Sequence, residues 1–246
     1  MTRRHATAAV ACALAVLGTH CASISGDANA PLAIEFVLPH FASGFTVQEF
    51  DTVPIDVRVR NDAGDTIAGA RVQVISLAPD TLQVDTLPLR LIGVQPGPAR
   101  VIAISGNLHS DPLAVTVVRA PDSLGLSAGA VDTVRATDTA SAPLVATLFD
   151  LRTDTTRALS LSGYPVVFAI VYPTFASAAA ASVVFGNDTV PTLVDTATTT
   201  VSGASAIVKR HGALPWPDSV VVQASASRAN GTVVRGSPIR FVVRFH

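Results

Sequence analysis

The sequence predicts an all-β protein, with two tandem β-sandwiches behind an N-terminal signal segment. Three observations predict it. Hydrophobic residues make up 49% of the 246-residue chain and charged residues 14%, enough to build a sizeable core and unlike a disordered composition. The apolar residues are mostly Val and Ala, and Val, stiff at its first side-chain torsion, favours strands. Finally, 16 Gly and 16 Pro are spread along the chain, which cuts it into many short segments. The length accommodates one large or two ordinary domains. The formal net charge is −1 and the chain has no basic stripe, so a nucleic-acid partner has no electrostatic footprint here.

The N-terminus reads as an export signal over residues 1–22, followed by a small-residue spacer over 23–31. Arg3 and Arg4 give a positive start, and Ala6 to Gly18 is apolar and uncharged. That run is too short to cross a bilayer as a helix and suits a signal core. Leu17-Gly18-Thr19-His20-Cys21 resembles a bacterial lipoprotein signal, in which the first mature residue is a lipid-bearing Cys, although His20 stands where that pattern has a small residue. Ala28-Asn29-Ala30 is a second, A-x-A type cleavage site, followed by Pro31. With Cys12 inside the signal, Cys21 is the only cysteine left to the mature chain, so no intrachain disulfide can brace the exported part. Cys21 is then either a lipid-anchor site or a free thiol.

The strand reading proceeds in order. Ile34 to Val37 is a first strand with Phe36 inward, and Pro39 to Phe45 is a loop. In Val53 to Val74, Val53, Ile55, Val57 and Val59 alternate with polar residues or Pro, the period of a strand with one dry face. Asn61 to Asp65 supplies turn chemistry, and the chain is read as folding back through Val72 and Val74. Leu82 to Leu87 and Leu89 to Val94 are further strands, and Gln95-Pro96-Gly97-Pro98 turns the chain. Ala99 to Ser105 is apolar on both faces, as in a central strand, and Pro112 to Val118 closes the first cycle, with Pro at the strand's first residue. The first sandwich is thus placed at 32–119.

Ala120-Pro121-Asp122-Ser123 reads as a linker (120–123), and a second sandwich follows over 124–246. Its strands are Val131 to Ala136, Leu144 to Leu148, Gly163 to Ile170, Val183 to Phe185, Val190 to Val194, Thr198 to Val201, Ala204 to Lys209, Ser219 to Ser225 and Pro238 to Phe245. A polar connection, Leu151 to Ser162, interrupts them. The two cycles echo one another: Gly69-Ala70-Arg71-Val72 parallels Gly163-Tyr164-Pro165-Val166, and Asp111 to Val117 parallels Ser237 to Val243.

On these residues the chain resembles the bacterial immunoglobulin-like repeats of invasin- and intimin-type surface proteins. Ala146-Thr147-Leu148-Phe149-Asp150 with Gly163 to Phe168 is similar to that family's V-x-D…G-x-P-V-x-F opening. Asp195-Thr196 through Gly203-Ala204-Ser205-Ala206 is similar to its T-D-x-x-G-x-A middle, and Asp218 to Ser225 to its D-x-V-x-V-x-A strand. The resemblance implies two immunoglobulin-like β-sandwiches in a cell-envelope setting. It implies no catalytic residue, because the family hosts spacers, stalks and adhesive tips alike.

Little in the chain reads as chemistry. Gly125-Leu126-Ser127-Ala128-Gly129 spells G-x-S-x-G, but a serine nucleophile needs a strand before it, a helix after it and a His base. Here a strand pattern follows, so Ser127 as a hydrolase nucleophile is the remotest alternative. The six His are not at metal-ligand spacing and read as loop residues. Asp62 with Asp65, and Asp150 with Asp154, offer oxygen ligands without the pattern of a calcium loop, so no metal and no cofactor is expected. Trp216, in Leu214-Pro215-Trp216-Pro217-Asp218, either plugs the end of the sandwich or stacks on a sugar or a protein partner. The expectation is a non-enzymatic exported protein at the outer membrane, cell surface or periplasm. It would serve as a structural spacer or adhesion-like module, with the membrane as partner through Cys21. The alternative is a glycan- or protein-binding module that uses the Trp216 loop.

Overall fold

The computed structural model describes residues 30–37, 45–127, 129–151, 159–178, 180–186, 190–212 and 216–246. The expected signal segment, Cys21, most of the spacer and most of the Leu151 to Ser162 connection lie outside them. The described residues are all-β, with no helix among them. The first strands are β1 (Ala33–Val37), β2 (Phe45–Gln48), β3 (Thr52–Pro54), β4 (Asp56–Arg60), β5 (Gln73–Ser76), β6 (Leu82–Thr86), β7 (Leu89–Gly93), β8 (Gly97–Ser105), β9 (Leu108–His109) and β10 (Leu113–Val118). Then come β11 (Ser123–Leu126), β12 (Val131–Val134), β13 (Leu144–Asp150), β14 (Leu159–Leu161), β15 (Pro165–Tyr172), β16 (Val183–Phe185), β17 (Val194–Thr198), β18 (Ala204–Ala206), β19 (Val208–Arg210), β20 (Ser219–Ser225) and β21 (Ile239–Phe245).

The chain divides into two compact units, one formed by the described residues of 1–40 with Ile55–Ile75 and Ile102–Leu113, the other by those of 41–54 with Ser76–Val101 and Ala114–His246. In the first unit, β1 runs antiparallel to β4, from Ala33 opposite Arg60 to Val37 opposite Asp56. The period-two pattern is obeyed: Ile55 and Val59 are buried, Val57 is half-buried, and Asp56 and Arg58 are exposed. The turn after β4 is closed by Asn61, whose amide donates to the Asp65 carbonyl at 3.0 Å and whose side-chain Oδ1 accepts from the Asp65 amide at 2.8 Å. Gly64 sits in it at φ +82°, a conformation that favours glycine. The expected hairpin does not form. Past a single bridge between Arg60 and Thr66, β5 leaves for a different sheet. Alternation specifies which face of a strand is buried, not which strand it pairs with.

In the second unit, β3, β7 and β6 form one sheet in the order β3-β7-β6, and β2 lies parallel to β10, Phe45 opposite Val115. The expected alternating strand from Val53 to Val59 is therefore two strands, β3 and β4, that break at the buried Ile55 and pair with different partners. Leu87, expected at a strand end, is the exposed tip of the β6–β7 hairpin. Gly93 ends β7 where the backbone of Gln48 crosses: a Cβ there would stand 2.5 Å from the Gln48 carbonyl oxygen.

Residues 123–245 build a two-stranded sheet, β16-β19, and two larger facing sheets. One carries β11 and β14 on β13, with β18 also paired to β13, and the other is ordered β12-β21-β20-β15-β17. This is the two-sheet Greek-key arrangement of an immunoglobulin-like sandwich. The opening segment is shared between the sheets: β11 pairs antiparallel with β13, then β12 pairs parallel with β21. One hydrophobic cluster fills the space between, drawn entirely from residues 124–245, with Leu148, Phe168, Phe185 and Phe241 at its centre. Phe168 and Phe241 meet at 6.4 Å between ring centroids. The expected Ala204 to Lys209 strand is also two strands, since β18 pairs with β13 and β19 with β16. The candidates at Val190 to Val194 and Thr198 to Val201 resolve into the single β17, leaving Val201 exposed.

Candidate functional site

Two groups of polar side chains stand out. The first surrounds Trp216. Arg210, the last residue of β19, lays its guanidinium carbon 4.4 Å from the centroid of the Trp216 ring and 5.4 Å from that of Phe245, within the range of cation–π attraction. Arg210 also donates from Nη1 to the Ala136 carbonyl at 2.9 Å and from Nη2 to the main-chain oxygen of His246 at 3.4 Å. Its Nε and the Trp216 Nε1 are both screened from solvent and have no acceptor among the described residues. A cavity of about 400 Å³ opens beside them, lined by Ala136, Arg210, Trp216, Pro217, Asp218, Phe245 and His246.

The second group lies where the expected linker was. Ala120 and Pro121 are buried. The Asp122 amide donates to the Phe149 carbonyl at 2.9 Å, and its Oδ2 accepts from the Leu151 amide at 3.1 Å. Arg228, on the loop between β20 and β21, donates from Nε to the Pro121 carbonyl at 3.0 Å and from Nη2 to Asp122 Oδ1 at 3.2 Å. The next amide, Ala229, donates to Gln48 Oε1 at 2.8 Å. Arg119 pairs with the fully buried Asp150 carboxylate, and Tyr164 donates its hydroxyl to the Arg119 carbonyl. Short polar segments of this kind are ordinarily flexible. This one is tied on every side.

Sequence reasoning missed this second group. It took Asp150 as part of the family-like opening and as a possible calcium ligand, and in the structure Arg119 is among the partners of that carboxylate. Asp154 lies outside the described residues. Asp65 is held through its backbone in the Asn61 turn, the ordinary use of an acidic turn residue. The available signal was a pair of charges, Arg119 and Asp122, flanking Ala120-Pro121 at a boundary between two strand cycles.

Ser127, the residue of the remotest alternative, lies at a strand end. It follows directly on β11, its amide donates to the Val145 carbonyl at 3.3 Å, and its hydroxyl hydrogen-bonds the Thr147 hydroxyl. The next element is β12, not the helix a nucleophile elbow requires. Cys21 lies outside the described residues.

No family model matches the chain, and no curated protein matches it. Solved structures do match. They include the Escherichia coli adhesin FdeC, at 14% identity over 87% of this chain and 64% of that one, with a TM-score of 0.40. The Yersinia pseudotuberculosis adhesin InvE matches at 16% identity over 82% of this chain and 56% of that one, with a TM-score of 0.38. The D00-D0 domain of intimin matches at 17% identity over 87% and 99% of the two chains, with a TM-score of 0.32. This chain spans little more than half the length of the first two. At these identities and scores the matches carry no argument about function.

Proposed function

We propose that the chain is an exported, non-enzymatic envelope protein, a spacer built from two tandem immunoglobulin-like sandwiches, 32–119 and 124–246, anchored through Cys21. The observation that carries the reading is the tied segment at 119–122. A spacer must resist bending between its domains. The contacts from Arg119, Asp122, Tyr164 and Arg228, with Ala229 on Gln48, each oppose bending there. The buried Asp150 opposite Arg119 adds a charge that is costly to strip of its cation. The anchor is supported by the sequence alone, by Cys21 at the end of an apolar, uncharged run behind two arginines.

Membrane fractionation in the native host, followed by mass spectrometry of the mature N-terminus, tests the anchor. The expected result is protein in the membrane pellet that begins at Cys21 with a diacylglyceryl mass. Protein in the soluble fraction beginning at an unmodified Ser, Ala or Pro contradicts the anchor and leaves a secreted or periplasmic spacer. Turnover of a panel of esters and amides by the purified chain, lost in Ser127→Ala, contradicts the non-enzymatic reading.

A further inference from the structure

We propose that the outer face of the β12-β21-β20-β15-β17 sheet is a docking surface for an acidic amphipathic helix of a partner protein, seated along an apolar stripe that Arg240 and Arg244 flank. The proposal goes beyond the spacer reading and does not depend on it.

Three observations point there. The first is the stripe. Val220, Val222, Phe241 and Val243 are fully buried, so by alternation Val221 and Val242 stand on the other, outer face. The register sets Val131 opposite Val242, Val242 opposite Val221 and Val221 opposite Tyr172. One apolar row thus crosses four adjacent strands without a polar break. Its ends, Val131 and Tyr172, are 54% and 59% exposed, and the two central valines are half-buried. The second is how Tyr172 joins the row. Ile170 pairs with Val222 and Tyr172 with Val221, so β15 carries an extra residue at Val171. Without that bulge Tyr172 would stand opposite Val220, on the core-facing side. With it the ring is re-aimed outward, as bulges do. The third is charge. Arg240 and Arg244 lie two residues to either side of Val242 and are exposed, each about 7 Å from the stripe along the strand. Among the described residues neither forms an ion pair. No outward position of the five strands holds a carboxylate: Asp132 stands opposite the buried Val243, and Asp195 opposite the buried Phe168, both at core-facing positions. Beyond the strand ends, Asp218 lines the cavity beside Trp216, and the His246 main-chain oxygen accepts from Arg210.

The occupant follows from spacing and sign. The row repeats at the strand separation, about 4.8 Å, close to the pitch of about 5.4 Å of an α-helix. A helix laid along the stripe therefore sets one apolar side chain over each strand, and acidic residues on its flanks meet the two arginines. A second copy docking through the same face would bring arginines against arginines. A bilayer is the poorer fit, because the central valines do not protrude and two arginines fall short of the roughly four to eight cations that mark a lipid-binding cluster.

The test is titration of the full chain into two fluorescein-labelled synthetic peptides of about 15 residues, long enough to form helix, read by anisotropy. Both carry leucines at one-face helical spacing. One has glutamates on the flanks of that face, the other lysines. The double variant Arg240→Glu with Arg244→Glu, and separately Val221→Asp, are run alongside, and their melting temperatures check folding. The expected result is saturable binding of the glutamate peptide with a dissociation constant on the order of 100 µM, as suits one short helix. The lysine peptide should bind about tenfold or more weakly. The double charge reversal should exchange the two preferences, and Val221→Asp should weaken the glutamate peptide by about tenfold or more. Failure of the glutamate peptide to saturate overturns the proposal, as does equal binding of both peptides, which removes the need for the arginines. A concentration-dependent dimer that Val221→Asp dissolves also overturns it, by giving the stripe to a second copy. Co-sedimentation with vesicles of phosphatidylserine and phosphatidylcholine, lost in the same variant, overturns it in favour of a bilayer. Should Val221→Asp unfold, the charge reversal at two exposed residues decides the matter, together with chemical-shift changes on addition of the glutamate peptide to the unaltered chain. Shifts centred on Val131, Val221 and Val242 support the surface, and shifts elsewhere overturn it.

Discussion

Arg119 and Asp150 carry the heaviest local consequence in the chain. The Asp150 side chain is 0% exposed and the Arg119 side chain 38%, so the pair is buried on one side only. Replacing Arg119 by Ala withdraws a cation from a carboxylate that has no contact with water. The expected cost is about 1–2 kcal/mol, since Arg119 is partly exposed and Asp150 keeps a further contact, or a fall in Tm of roughly 3–6 °C for a chain of this size. Tyr164→Phe removes one hydroxyl donor and should cost about 1 kcal/mol. Thermal melts of both variants decide the point, and an unchanged Tm in Arg119→Ala would show the pair to be idle. Glu35 offers a contrasting case on the surface. The hydrogen bond from Arg60, with the charges of Arg60 and Arg58 behind it, holds its carboxyl below the ordinary value of 4.5. A depressed folded value stabilises the fold above the ordinary carboxylate range, and that contribution is lost as pH falls through the folded value. Denaturant melts at neutral and acid pH should therefore show a smaller acid-side loss in Glu35→Gln than in the unaltered chain. An identical loss would mean that other carboxyls account for it.

At the scale of the element, strand existence and facing were legible in the sequence, while pairing was not. Val53, Ile55, Val57 and Val59 alternate as read, and β20 and β21 bury Val220, Val222, Phe241 and Val243. The hairpin expected after β4 failed because a turn with good local chemistry at Asn61 to Asp65 can lead into a different sheet. The expected loop ended at Phe45 and the expected linker at Ser123; β2 and β11 were not read as strands. Each is only four residues long, too short to show a period. The division of Ala204 to Arg210 between two sheets was hidden for the same reason. Of the sites, Trp216 was visible as a lone aromatic between prolines. Its partner Arg210 was not, because nothing local in sequence says that a cation six residues away will lie on its ring. Gly93 is another consequence of tertiary approach, unmarked in its own neighbourhood. Gly93→Ala places a methyl against the Gln48 carbonyl at 2.5 Å, and backbone on both sides leaves little room to yield. A loss of about 1–3 kcal/mol follows, measurable by urea unfolding. A neutral result would mean that β7 and Gln48 separate easily.

For the molecule as a whole, the all-β class was legible because composition and punctuation set it, and both sum over the entire chain. The tied segment was not legible, because it depends on Gln48, Asp150, Tyr164 and Arg228 converging from distant points of the sequence. That convergence separates a stiff spacer from two sandwiches on a loose tether. Both leave the same strand pattern. The direct measurement is a spin-label distance distribution across the segment. Labels at Leu87→Cys and Val201→Cys, both exposed sites, would be placed in the full chain with Cys12 and Cys21 replaced by Ser. A control pair at Val131→Cys and Val201→Cys, both exposed and beside opposite edge strands of one five-stranded sheet, lies within one sandwich. The spacer account predicts a single distribution across 119–122 as narrow as the control, broadened by Arg119→Ala. A broad or multiple distribution in the unaltered chain would contradict it.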